Sequence, residues 1–490
     1  MADGEVADEA AEQRPARYQR IGFFLGLALF ALALVTPAPA GLSLEGWRVV
    51  AVAALMASWW ATEAIPVPAT SLLPIVLFPL LGVTGVENAT KPYSSSVIYL
   101  LLGGFIVAMA IERWNLHRRL ALLVLARVGG RPDAIIFGFM AATAALSLWM
   151  SNTAATMMML PIAAPVIAVV MAGRGENRAF AVALLLGIAY AASIGGLGTL
   201  VGTPPNALMA GYLRQTFGIE VTFAQWMLFG LPVVILLLPT AWWVLTRIAY
   251  RIDLPANPDA KAIIARELLE LGPITTPERR TLYAFAAVAA AWIATPLLKL
   301  IPALGGLNDT VIAVMGAVAV FLIPSGAAGG GRLMTWQAAV KLPWGVILLF
   351  GGGLSLAEQV SGTGLSLWIG DQLSGLTDLP RLGLIVVVAT LVIFLTELTS
   401  NTATTATILP ILGALGVAGG LPPLLIIAPA TLAATCAFML PVSTAPNAVV
   451  YGLGYIRIPE MARAGLILNV FTIVIVSALS YILIPLVFSA

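Results

Sequence analysis

Residues 151–162 read SNTAATMMMLPI, and residues 400–411 read SNTATTATILPI. Eight of these twelve positions are identical at a constant offset of 249. The flanking features repeat as well. Upstream, Gly103-Gly104 answers Gly351-Gly352. Downstream, Thr203-Pro204-Pro205-Asn206 answers Thr444-Ala445-Pro446-Asn447. Glycine pair, Ser-Asn-Thr, then Thr-x-Pro-Asn: the order is the same in both halves, and chance does not produce it. The chain is an internal duplication.

The duplicated motifs lie in a very apolar chain. Of 490 residues, 60% are hydrophobic and 10% are charged. A soluble domain carries roughly 25% charged residues. A hydrocarbon solvent accommodates such a composition and a soluble core does not, so the chain reads as an all-α polytopic membrane protein whose first partner is the lipid bilayer. The net charge of +2 leaves no electrostatic footprint for a nucleic acid. The single Cys436 excludes an intrachain disulfide or cysteine-ligated metal, and reads as a small membrane-helix residue. His117 lies in an Arg-rich segment and reads as solvated. One histidine excludes the His-rich zinc site of an intramembrane protease. With neither HExxH nor GxSxG present, an enzyme has no machinery to point to.

A bilayer-crossing helix needs about 20 mostly apolar residues. Apolar runs lie near 21–39, 47–61, 66–83, 96–112, 133–171, 179–212, 223–246, 282–303, 308–323, 343–360, 382–417, 422–455 and 464–488. Runs 133–171 and 382–417 are too long for one crossing and contain Ser-Asn-Thr, so each is expected as a re-entrant hairpin. Runs 179–212 and 422–455 break at the Thr-x-Pro-Asn motifs and are expected to cross once each. The sum is about 11 transmembrane helices plus two re-entrant hairpins. An odd number of crossings per half inverts the second repeat relative to the first, the build of many secondary transporters.

The expected organisation follows. A cytoplasmic tail (1–20) with Arg14, Arg17 and Arg20 precedes the first crossing, which is not a cleaved signal. Scaffold helices (21–132) lead into a first transport part (133–246). A cytoplasmic connector (247–281) holds an interfacial helix near Ala260–Leu271. Scaffold helices (282–381) then lead into a second transport part (382–490). This scheme puts Arg113, Arg118, Arg119, Arg127, Arg131, Arg174, Arg178, Arg332, Lys341, Arg457 and Arg463 inside, together with the 247–280 loop, as the positive-inside rule requires. Arg48, Lys91, Arg214, Lys299 and Arg381 fall elsewhere. The expected location is the cytoplasmic membrane, N-terminus inside, C-terminus periplasmic or extracellular.

Polar breaks at membrane depth are tolerated only where they line a cavity or pack in protein. Ser151-Asn152 and Ser400-Asn401 have the form of helix N-caps. Thr203 before Pro204 has the form of an N-cap with proline at the first helical position. Four half-helix N-termini, each with free N–H groups and about half a positive charge, can hold an anion without arginine. Hydroxyls and amides bind carboxylates more weakly than a bidentate Arg, which suits cargo that must be released. Unwound carbonyls offer sodium sites; Ser147 and Thr396 each stand one turn before a tip. Ser, Thr and Asn also hydrogen-bond between membrane helices, and the Gly pairs read as close packing points. Glu397, with Leu148 at its place in the first half, reads as a structural hydrogen-bonding acid ahead of an ion-coupling one. Glu63 and Glu112 read as helix-end residues.

At the paired Ser-Asn-Thr tips, the 396–402 run Thr-Glu-Leu-Thr-Ser-Asn-Thr and the Thr-x-Pro-Asn breaks, the chain resembles the divalent anion/sodium symporter family over nearly its whole length. The resemblance implies an elevator-type homodimer. It implies substrate contacts at Ser151, Asn152, Thr153, Thr203, Ser400, Asn401, Thr402, Thr444 and Ala445. It implies a first Na+ site from Ser147, Ser151, Asn152 and Gly202, and a second from Thr396, Ser400, Asn401 and Ser443, partly through carbonyls. Ala445 departs from the commoner Thr-Pro-Pro-Asn and keeps an N–H that proline lacks. Sulfate-type relatives tend to carry a large soluble insertion that this chain lacks, so a dicarboxylate is the expected cargo. Sodium-driven symport and sodium-independent exchange both remain open at this point, as do citrate and sulfate as other divalent anions.

Overall fold

The computed structural model describes residues 16–172, 178–255, 258–373, 375 and 379–488. The tail before Ala16, Arg174 and the chain's last two residues lie outside them. Among the described residues the only regular secondary structure is helical, apart from a single bridge between Pro324 and Arg332. Nine of the described helices are long and apolar enough to cross a bilayer.

The first half begins with α1 (Arg17–Val35) and α2 (Leu44–Thr62). Ser43 caps α2 by accepting from Gly46 N–H at 3.0 Å. Glu63 closes it in the left-handed region, at φ 48°. The run 66–83, expected as one crossing, is broken into two short helices, Val67–Thr70 and α3 (Leu73–Leu80). Pro74 is the reason: it has no N–H to offer the Thr70 carbonyl and its ring clashes there, so one helix stops and the next restarts around it. Next come α4 (Ser96–Arg113) and α5 (Leu116–Ala126). Then follow α6 (Pro132–Ser147), α7 (Asn152–Ala172), α8 (Arg178–Gly196), α9 (Pro204–Phe217) and α10 (Phe223–Trp243).

The connector holds α11 (Pro258–Glu270). The second half repeats the plan with α12 (Thr276–Leu298), α13 (Asp309–Leu322), α14 (Trp344–Gly362) and α15 (Leu365–Gln372). It ends with α16 (Arg381–Thr396), α17 (Asn401–Ala418), α18 (Pro423–Thr435), α19 (Ala445–Tyr451) and α20 (Ile458–Val487).

Packing is duplicated along with sequence. α8 lies against α6, α7 and α10, and α18 lies against α16, α17 and α20. Both central helices are apolar on every side, the pattern of a fully enclosed helix; 94% of the most apolar window of α8 is buried. Lipid tails are as apolar as leucine, so association here draws on van der Waals contact between close backbones. Gly195 shows how close: a Cβ there would stand 2.4 Å from the Ala144 carbonyl oxygen. The glycine pairs act the same way. A Cβ on Gly103 would meet Ala313 backbone at 2.5 Å, and one on Gly352 the Ser71 carbonyl at 2.4 Å.

His117 is buried, which corrects the solvated reading. Its helix, α5, is amphipathic and turns Leu116, His117 and Arg119 inward. Arg119 forms a buried pair with Glu278 at 2.9 Å and bonds the carbonyls of 271–273, tying α5 to the start of α12.

Candidate functional site

α6 ends at Ser147 and α7 starts at Asn152, leaving 148–151 as a tip. The Ser147 hydroxyl lies 2.7 Å from the Ala192 carbonyl oxygen and 2.8 Å from Asn152 Oδ1. A hydroxyl has one proton, so it satisfies only one of them. Asn152 Oδ1 also stands 3.2 Å from the Ala192 carbonyl and 3.3 Å from the Gly202 carbonyl. Four oxygens thus face one another. Turning the amide lets its nitrogen donate to both carbonyls and to Ser147 Oγ and settles the crowding without an ion; the same oxygens are those a small cation would use. The backbone is shaped around this point. A Cβ on Gly196 would lie 2.6 Å from Asn152 Oδ1 and 3.1 Å from the Gly202 carbonyl, and one on Gly202 would lie 3.0 Å from the Ser147 carbonyl.

The second half reproduces the cluster. The Thr396 hydroxyl lies 2.8 Å from the Ala434 carbonyl and 2.9 Å from Asn401 Oδ1. Ser147, Asn152 and Ala192 therefore correspond in space to Thr396, Asn401 and Ala434. Hard oxygen donors of this kind suit a hard cation such as sodium.

After each cluster the chain unwinds and restarts at Pro204 and Ala445. Thr203 and Thr444 occupy the N-cap positions. Thr444 accepts from Asn447 N–H at 3.2 Å, whereas Thr203 makes no side-chain cap bond. Ser151 accepts from Ala154 N–H at 3.2 Å, and Ser400 caps through conformation alone. Ser443 is buried and donates to the Leu440 carbonyl at 2.7 Å. Ser151 and Ala445 are exposed, and Thr153, Ser400 and Thr402 are half-buried. α7 packs on α19, and α17 packs on α9. Each hairpin helix thus meets the broken helix of the other repeat. A cavity of about 430 Å³ opens at the first tip, lined by Met150, Ser151 and Ala154 together with Glu112, Arg113 and Lys341.

Sequence reasoning missed the asparagines that end the breaks. Asn206 Nδ2 donates to the carbonyls of Gly196 at 3.0 Å and Thr199 at 2.8 Å. Asn447 Nδ2 donates to those of Ala437 at 3.0 Å and Leu440 at 3.1 Å. Each clasps the unwound segment in shape. Their Oδ1 atoms, with Ser193 Oγ and Thr435 Oγ1, are buried and lack a partner among the described residues. Their recurrence in both Thr-x-Pro-Asn motifs was the available signal.

The staple holding the second break is Glu397. Its Oε1 accepts from Phe438 N–H at 2.7 Å and Met439 N–H at 3.0 Å, and its Oε2 from Met439 N–H at 3.0 Å and Leu440 N–H at 3.2 Å. The first half does this without charge: the Thr199 hydroxyl donates to the Leu148 carbonyl at 2.5 Å and accepts from Gly202 N–H at 3.0 Å.

Known proteins carry the same plan. A sodium-dependent dicarboxylate transporter, SdcS, of Staphylococcus saprophyticus is 43% identical over 475 residues, covering 95% of this chain and 92% of that protein. SdcS of Staphylococcus aureus strain bovine RF122 is 43% identical over 477 residues, covering 96% and 92%. The crystal structure of the YdaH transporter of Alcanivorax borkumensis shares the fold. It aligns at a TM-score of 0.59 and 15% identity over 96% of this chain and 99% of that one. The model of the sodium:sulfate symporter transmembrane region matches residues 18–488. Matched from its first described helix to its last, with both oxygen clusters inside the match, the chain belongs to the sodium:sulfate symporter transmembrane family.

Proposed function

We propose that this protein is a transporter, not an enzyme, that carries C4-dicarboxylates such as succinate, malate or fumarate across the cytoplasmic membrane together with sodium. The carrying observation is the duplicated oxygen cluster, Ser147/Asn152/Ala192/Gly202 and Thr396/Asn401/Ala434. The names of the SdcS relatives agree with that chemistry. Sodium is cargo here. Its first site takes Ser147, Ser151, Asn152 and Gly202, and its second Thr396, Ser400, Asn401 and Ser443. The dicarboxylate sits against the tips, on Ser151, Asn152, Thr153, Ser400, Asn401 and Thr402, with Thr203, Thr444 and Ala445 alongside.

Filling the cation sites neutralises the crowded oxygens and draws the unwound segments around the tips, so the anion meets organised N–H and hydroxyl donors. This is the coupling step. The protein works as a homodimer with eleven crossings and two re-entrant hairpins. The parts 133–246 and 382–490 move as an elevator against the scaffold helices 21–132 and 282–381. The N-terminus and the connector 247–281 are cytoplasmic; the C-terminus is on the far side.

The test is labelled succinate uptake into proteoliposomes at fixed pH and clamped voltage, with and without an inward sodium gradient. Uptake that requires sodium is the expected result. Uptake indifferent to sodium but accelerated by internal succinate makes the protein an exchanger and overturns the coupling.

A further inference from the structure

α4 and α14, which carry the paired glycines, run antiparallel. The start of α4 and the end of α14 line one cavity, and the end of α4 and the approach to α14 line another. The segment before each helix carries a lysine and a proline: Lys91-Pro92 before α4, Lys341-Leu342-Pro343 before α14. Near each helix end stands a glutamate, Glu112 or Glu358. The charged lining of the two cavities is matched in consequence. Arg113, Lys341 and Glu112 line the one of about 430 Å³. Lys91, Arg214 and Glu358 line the one of about 390 Å³. The first has two cations against one acid; at the second Arg214 is also paired with Glu220 at 3.5 Å, which leaves Lys91 to carry the positive charge. Neither lysine ammonium has a partner among the described residues.

The cavities differ in one respect. The Lys341 cavity includes Ser151, at the first Ser-Asn-Thr tip. The Lys91 cavity includes the end of α9 in place of a tip. There Arg214 donates to Ser96 Oγ at 2.8 Å and Gln215 to Glu358 Oε2 at 2.7 Å. α4 has 18 residues, so the cavities stand about 27 Å apart along it, toward opposite faces of the membrane.

We propose that these are the two mouths of the transport path, each an anion-collecting vestibule for small dicarboxylate dianions, made by the duplication itself. The Lys341 mouth serves the cytoplasmic face and is open to its tip in this conformation. The Lys91 mouth serves the opposite face, and the bonds of Arg214 and Gln215 hold α9 across it. Excess positive charge in a low-dielectric opening raises the local concentration of an anion and speeds its entry. A single lysine at the rim does this without binding cargo so tightly that it stalls. The ordinary alternative is a pair of solvated helix-end lysines that do nothing for transport.

The proposal rests on the transport reading above, and sidedness tests it. Succinate transport is measured from the outer face in intact cells and from the inner face in inverted vesicles, for wild type, Lys341→Gln, Lys341→Arg and Lys91→Gln. Wild-type transport reports on the underlying reading; only the variants report on the mouths. Lys341→Gln is expected to raise the half-saturating succinate roughly fivefold to tenfold at the inner face alone. The maximal rates shift in compensation, as a reversible carrier requires. Lys341→Arg restores it, and higher ionic strength erases the difference. Lys91→Gln does the same at the outer face alone. Equal shifts at both faces, the reverse sidedness, or no shift in either variant overturns the proposal.

Discussion

Asn469, deep in α20, donates its side-chain amide to Glu397 Oε1 at 2.8 Å. That carboxylate already accepts from three consecutive backbone N–H groups at 438–440. Four N–H donors converge on it, the surroundings that suit a carboxylate. One acidic side chain therefore stands beside the second oxygen cluster. The first cluster has Leu148 and a neutral threonine instead. The two repeats are alike in shape and unlike in charge.

Glu397→Gln keeps the shape but turns an NH2 toward backbone donors, leaving groups unpaired at about 1–3 kcal/mol each. The expected outcome is a several-fold rise in half-saturating sodium for succinate uptake. Leu148→Ala is expected to leave sodium dependence near wild type. Asn469→Ala should fall between them. Sodium titrations of all three check this, and equal effects of Glu397→Gln and Leu148→Ala would refute the charge asymmetry.

Asn152→Ala and Asn401→Ala should each abolish uptake while the protein still folds. The readout beyond transport is sodium-dependent thermal stability in detergent. A ligand at a hundred times its Kd stabilises by about 2.7 kcal/mol, so wild type should gain melting temperature with sodium over potassium. Each variant should lose part of that gain. Two variants that transport normally would remove the site.

Gly196→Ala pushes a methyl to 2.6 Å from Asn152 Oδ1. Overpacking of this kind costs typically 1–3 kcal/mol, and here it lands on the first cluster and on Thr203 beside it, leaving the second cluster untouched. Sodium dependence should become less steep as one of two ions drops out, visible as a lower Hill coefficient for uptake. An unchanged coefficient with unchanged affinity would show that the first cluster does not hold an ion.

Burial holds the His117 imidazole below its ordinary value, against the pull of the Ile111 carbonyl and with a small push from Arg118. The unfolded chain then takes up a proton first as pH falls. Stability is retained above about pH 6.5 and lost below it, toward the folded value. The loss reaches at most about 1.4 kcal/mol per pH unit. Melting temperatures between pH 7.5 and 5.5 should fall more steeply for wild type than for His117→Gln. Parallel curves would show that His117 does not titrate with unfolding.

What the sequence made legible was whatever occurs twice. The tips at Ser151 and Ser400 and the breaks at Thr203 and Thr444 could be placed because a second copy guards against coincidence. Features present once were harder. Asn469 lies 72 residues from Glu397, a separation no local pattern bridges. Thr199 has no match in the second break, which is one residue shorter there. The break inside 66–83 went unseen because hydropathy counts proline as tolerable, whereas the helix ladder does not. His117 was misplaced because neighbouring arginines suggest water; Arg118 does reach outward, but Arg119 turns inward with His117 to pair with Glu278.

The pair of Arg178 and Glu460 carries one more consequence. Two parallel bonds of 2.6 and 2.7 Å join the N-terminus of α8 to that of α20. Alongside, α10 packs on α20, and the Tyr190 hydroxyl donates to the Phe438 carbonyl at 2.7 Å. The halves are thus stitched together by contacts that do not need the peptide chain between them. Nicking the connector, or encoding each half as its own polypeptide, leaves these stitches in place, and co-expressed halves are expected to reassemble in the bilayer.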